Sequence, residues 1–184
     1  MKPIACTILI ALALTSCGPA GILTPTPVAR TSNFSLKFQY DPCGPMQMLQ
    51  PTNYGEPMYV LDTVKGTLVY LPLGETNSIT IPFQQTDGEL DAIYQKAAAI
   101  GFFQYASTFV IPAEHVIGMH TPAASYALTI ANGALSHTVA WFDEDLVDQP
   151  YAPADRLREL MDLIEQTIKS HPEVQRLPPT AGCA

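Results

Sequence analysis

The stretch Ser125-Tyr-Ala-Leu-Thr-Ile-Ala131, Asn132-Gly133, Ala134-Leu-Ser-His-Thr-Val-Ala-Trp-Phe142 constrains the fold more than any other. Two runs alternate bulky and small side chains, and asparagine-glycine stands between them. That dipeptide is the strongest short-range hairpin signal, a two-residue type I′ turn. The turn predicts that Ala131 faces Ala134, Leu128 faces His137 and Tyr126 faces Val139. One face then carries Tyr126, Leu128, Ile130, Leu135, His137, Val139 and Trp141 and belongs on a core. The other carries Ala, Thr and Ser, and is either solvated or approached closely by another element.

Further strands and two helices surround the hairpin. Phe34, Leu36, Phe38 and Tyr40 alternate with Ser35, Lys37 and Gln39, the period of a half-buried strand. Residues 58–63, 66–73 and 77–83 read as short strands punctuated by Gly and Pro. Thr86-Asp-Gly-Glu89 fits a capping box, with Leu90, Ile93, Tyr94 and Ala97 at helical spacing behind it and Gly101 as the stop. Phe102 and Phe103 are expected to enter the core. Pro153 to Lys169 is an amphipathic helix with Leu157, Leu160, Met161, Ile164 and Ile168 on one side, and His171-Pro172 ends it. The tail beyond has only Val174 and Leu177 as large apolar anchors, too few to hold it by burial alone. The pattern predicts an α+β domain over residues 34–184, a mainly antiparallel sheet with two helices packed on it.

The chain begins differently. Ile4 to Leu14 is an uncharged run behind Lys2, too short to span a bilayer, which takes about 20 residues. A positive start and a short apolar stretch are the form of a secretory signal. Leu14-Thr15-Ser16-Cys17 resembles the lipobox of bacterial lipoproteins. That resemblance implies removal of residues 1–16, lipid on Cys17, and attachment to the membrane from the extracytoplasmic side. Two or three acyl chains, at about 0.8 kcal/mol per buried CH₂, make a lasting anchor. Residues 17–33, rich in Pro, Thr, Gly and Ala, read as a tether.

Charge and cysteine use narrow the partners. The formal charge is −8, and Lys2 is the only charged residue in 1–16, so cleavage leaves −9. An acidic chain without a basic patch argues against nucleic acid and against electrostatic docking on anionic lipid. With Cys6 removed and Cys17 lipidated, Cys43 and Cys183 remain, in a compartment that permits disulfides. A bridge closing that loop would add about 5 kcal/mol in the chain-entropy model; the alternative is two unpaired thiols.

Motifs for known chemistry are missing. The sequence contains no GxSxG, HExxH, P-loop or GxGxxG. His115 and His120 sit near Gly118 and Pro122, in what reads as a loop without zinc spacing. Cys43, Met46, Met48 and Met58 are soft donors of the kind copper takes, yet Met-x-Met on a loop is common and a bridged Cys43 would be unavailable. Asp143-Glu144-Asp145 with Asp148 lacks the Gly and alternation of a calcium loop and reads as a solvated turn joining hairpin to helix. No cofactor or metal is expected. His137, set among apolar neighbours, forms the candidate binding patch with Trp141 and Asp143. A hydrolase or metal-binding envelope protein using His137 is the alternative to a non-enzymatic binding module.

The order of a capped helix, Phe102-Phe103, Tyr126-Ala-Leu-Thr129, Asn132-Gly133, His137-Thr-Val139-Ala-Trp141, Asp143 and a helix with Leu157 and Leu160 is similar to that of small bacterial lipoproteins. It also resembles emfourin, the protein inhibitor of thermolysin-type metalloproteases, over roughly residues 86–168. The resemblance implies binding to a protein or other envelope partner, in its sharper form a secreted metalloprotease. The strands of residues 34–83, the cysteines and the anchor have no emfourin counterpart, and no inhibitory residue is carried over.

Overall fold

The alternation that starts at Phe34 becomes the middle of a seven-stranded sheet. The computed structural model describes residues 29–42, 59–72, 75 and 77–179. Cys17, Cys43 and Cys183, the leader, most of the tether and the Met46–Met58 sulfur cluster lie outside the described residues. The elements are β1 (Ser35–Asp41), β2 (Tyr59–Asp62), β3 (Thr67–Tyr70), β4 (Ile79–Pro82), α1 (Asp87–Ile100), β5 (Thr108–Phe109), β6 (Val116–Asn132), β7 (Leu135–Val147), α2 (Ala152–Ser170) and α3 (Pro172–Gln175). The strand order is β4-β3-β2-β1-β6-β7-β5. Every neighbouring pair is antiparallel except β5 with β7. This is an α+β fold, with α1 and α2 packed on each other and on the sheet's apolar face in one core. Among the described residues, no helix is long and apolar enough to cross a membrane.

Local chemistry sets the helices. Glu89 N–H donates to Thr86 Oγ1, and Thr86 N–H donates back to Glu89 Oε2 at 2.7 Å, so the capping box forms as its residues dictate. Gly101 takes the left-handed φ of 72° that ends α1. Leu157, Leu160, Met161, Ile164 and Ile168 are all buried along α2.

The hairpin forms with its faces as expected but with shifted partners, and Leu135, expected on the core, is 51% exposed because it sits beside the tip, beyond the reach of the helices. Asn132 pairs with Leu135, Ile130 with His137, Leu128 with Val139 and Tyr126 with Trp141. The tip is Gly133-Ala134, with Gly133 at φ 64°, rather than Asn132-Gly133. The shift is two residues, so every side chain keeps its face. The cause is Asn132, which is buried. Its Oδ1 accepts from Thr31 N–H and Thr31 Oγ1, both at 2.7 Å, and its Nδ2 donates to Tyr94 Oη at 2.9 Å and Ala29 O at 3.3 Å. A side chain with four inward bonds cannot serve at a solvated tip.

Four other expectations change. The segment around His115 and His120 is not all loop: β6 starts at Val116 and runs irregularly past Pro122. The acids Asp143, Glu144 and Asp145 lie on β7, which continues to Val147, so they form no turn. The tail is better held than its apolar content suggests, since Val174 is buried in α3, Leu177 packs on the core, and Tyr70 Oη donates to Pro178 O. The folded body also reaches into the expected tether: Arg30 pairs with Asp87 and Asp91 in the first turns of α1, and Thr31 is held by Asn132.

Register lines up an aromatic row across six strands: Tyr70, Tyr59, Tyr40, Tyr126, Trp141 and Phe109. Successive ring centroids lie 5.5, 6.2, 5.2, 6.0 and 5.3 Å apart. Such pairs add about 0.5–1.5 kcal/mol each beyond their buried area. Burial pushes the Tyr40 and Tyr126 phenols well above their ordinary range, with the Glu165 charge adding to both. The row ends at Phe109, on the β5 edge.

Candidate functional site

At that edge the sheet is open. After α1 and its Gly101 cap, a 3₁₀ turn at Phe102–Gln104 swings the chain back along β7. Ala140 N–H donates to Ser107 O at 2.8 Å, and β5 then pairs with β7 for two residues only. In a parallel ladder successive residues address opposite sides. Ser107 O points to β7, so Thr108 turns its own N–H and C=O toward the outer side. Phe109 is buried, whereas Val110 is 67% exposed.

Beside this edge lies a cleft of about 540 Å³ between β5, the end of α1 and the start of α2. Ile100, Tyr105, Phe109, Val110 and Pro153 supply apolar walls, and Gln104, Thr108 and Arg156 supply polar ones. Tyr105 Oη donates to Pro153 O at 2.9 Å, locking one wall to α2, and its ring packs on Phe109. Burial raises the Tyr105 phenol and the Arg156 charge partly offsets this. Arg156 is exposed and forms no ion pair among the described residues, unlike its neighbour Arg158.

The three residues singled out from sequence do not line this cleft, and two of them stand directly behind it. His137 Nε2 lies 2.8 Å from Tyr105 O, and its ring meets Phe102 edge-on. A carbonyl only accepts, so Nε2 carries the proton and fixes the Tyr105 backbone. Trp141 is the bridge partner of Phe109 and meets its ring edge-to-face at 5.3 Å. Asp143 lies farther along β7, where Arg158 grips it through Nε at 2.8 Å and Nη2 at 2.6 Å. Arg158 also holds Asp155 at 2.9 Å and lies over the Trp141 ring. The Asp143 bonds are the main reason its guanidinium pKa is raised.

Other polar clusters are scattered. His115 stacks on Tyr151, and His120 is exposed on β6. Among the described residues, no three His, Cys, Asp or Glu side chains come together in a way that could hold a metal ion. A second cleft of about 330 Å³ lies between the β2–β3 turn and the start of α1, and the Gln85 amide on its wall has no hydrogen-bond partner among the described residues. The β5 cleft was not visible from motifs. Its signal was Ser107-Thr-Phe-Val-Ile-Pro112, a β-branched and aromatic run between punctuating residues. No protein-family model matches the chain, and no curated protein matches it.

Proposed function

We propose that the chain is a lipid-anchored extracytoplasmic binding module that holds a protein partner at the β5 cleft. The observation that carries this is the cleft itself: a shallow, partly apolar depression beside an open sheet edge, with Arg156, which has no ion pair among the described residues, on its rim. The lipobox-like Leu14-Thr-Ser-Cys17 supports the anchor. The hydrolase alternative gains nothing from the geometry, because His137 spends Nε2 on a backbone carbonyl and faces neither cleft. The resemblance to emfourin makes a thermolysin-type metalloprotease the sharper choice of partner.

A photoreactive amino acid at position 110 of the membrane-anchored protein tests the module. The expected result is a discrete cross-linked partner that is missing when the probe sits at exposed Val64. Equal, diffuse cross-linking from both positions would remove the reading. The sharper version fails on its own if micromolar full-length protein in detergent leaves a thermolysin-type enzyme fully active.

A further inference from the structure

Resting on that reading, we infer that the β5 cleft takes an extended peptide, which pairs with Thr108, places an apolar side chain against Tyr105 and Phe109, and sets a carboxylate on Arg156. Three observations converge on this occupant. The outward N–H and C=O of Thr108 are the groups an added strand pairs with, and alternate side chains of such a strand enter pockets beside the edge. Half-buried Tyr105, packed on Phe109, gives the cleft an apolar wall, so one apolar side chain gains burial there. Arg156 is exposed and has no ion pair among the described residues, and its fork suits a carboxylate.

The same observations disfavour other occupants. A bare phosphate would engage Arg156 alone and leave the Thr108 edge and the apolar wall uncovered. A second copy pairing through its own β5 would bring two Arg156 side chains together and offer no carboxylate from the cleft lining. Side chains behind the cleft hold its shape: His137 fixes the Tyr105 backbone, Tyr105 fixes the start of α2, and Trp141 backs Phe109.

The test is selection of displayed random heptapeptides on the full-length protein in detergent micelles, followed by fluorescence polarisation of the synthetic winners. The expected winners share an apolar residue close to Asp, Glu or a free C-terminal carboxylate. Their affinity should fall at least tenfold with Arg156→Glu, and fall similarly when the peptide carboxylate is replaced by an amide. Thr108→Pro removes the outward N–H, leaves the Ser107–Ala140 bond in place, and should also weaken binding. If that variant unfolds, the surface change Arg156→Glu still decides. No enrichment, or winners indifferent to Arg156→Glu, would overturn the inference, as would a wild-type dimer that this substitution alone disrupts. A partner cross-linked from position 110 without any peptide preference would leave the binding module standing and remove the peptide.

Discussion

Replacing Asn132 separates two roles that its sequence context confuses. An Asn before a Gly suggests a turn residue, for which Gly is an acceptable or better substitute. The structure instead gives Asn132 four bonds, joining the hairpin end to Ala29 and Thr31 of the first described segment and to Tyr94 of α1. Each hydrogen bond contributes about 0.5–1.5 kcal/mol net, and a buried partner left unpaired costs about 1–3 kcal/mol. Asn132→Ala strands the Tyr94 hydroxyl and the Thr31 N–H, so a loss of about 2–4 kcal/mol is expected. For a domain of this size each kcal/mol lowers Tm by about 2–4 °C, giving a fall of roughly 5–15 °C. Urea unfolding followed by tryptophan fluorescence, with Trp141 as the single reporter, measures the midpoint and slope. The slope should not change, and hydrogen exchange at Thr31 should accelerate. Asn132→Gly should cost at least as much as Asn132→Ala. If Asn132→Gly stays within about 0.5 kcal/mol of wild type, the turn reading is right and the junction reasoning is wrong.

Other substitutions probe separate parts of the fold. Arg158→Ala breaks a bidentate, partly buried pair with Asp143 and a contact over Trp141, and should cost about 2–3 kcal/mol in urea unfolding; Arg158→Lys should recover less than half, since an ammonium cannot make both bonds. Burial tends to raise the Glu89 carboxyl, but bonds from Thr86 and His171 outweigh it and hold the pKa low. A depressed folded value means that its contribution is complete above the unfolded value of about 4.5 and is lost as pH falls through the folded one, so Glu89→Gln should flatten the acid limb of the stability–pH curve. If export is as proposed, Cys43 and Cys183 pair; intact mass should then lie two hydrogens below the reduced form, and free alkylation of both in the folded, oxidised protein would contradict it.

The elements were legible where residues speak locally. Thr86 and Glu89 announced α1, Gly101 ended it, and the apolar stripe of α2 needed no partner to be recognised. What escaped the sequence depended on distant contacts. The hairpin register turned on a buried Asn whose partners lie about a hundred residues away, at Ala29 and Thr31. The tail's attachment turned on Tyr70, a strand residue whose hydroxyl meets Pro178. The candidate site shows the same limit. His137, Trp141 and Asp143 stood out because a histidine set among apolar neighbours lies close in sequence to a tryptophan and an acid, and sequence pattern cannot tell a wall from its support. The cleft's own residues, Tyr105, Thr108, Val110 and Arg156, are ordinary in type and gather only because β5 folds back beside β7.

The proposed lipid anchor is tested by metabolic labelling with palmitate of the wild type and of Cys17→Ala, each followed by membrane fractionation. Label and membrane retention are expected for the wild type and neither for the variant, since Cys17 is the residue expected to carry the lipid. Label on both forms, or an unlabelled wild type released from the membrane, would contradict it.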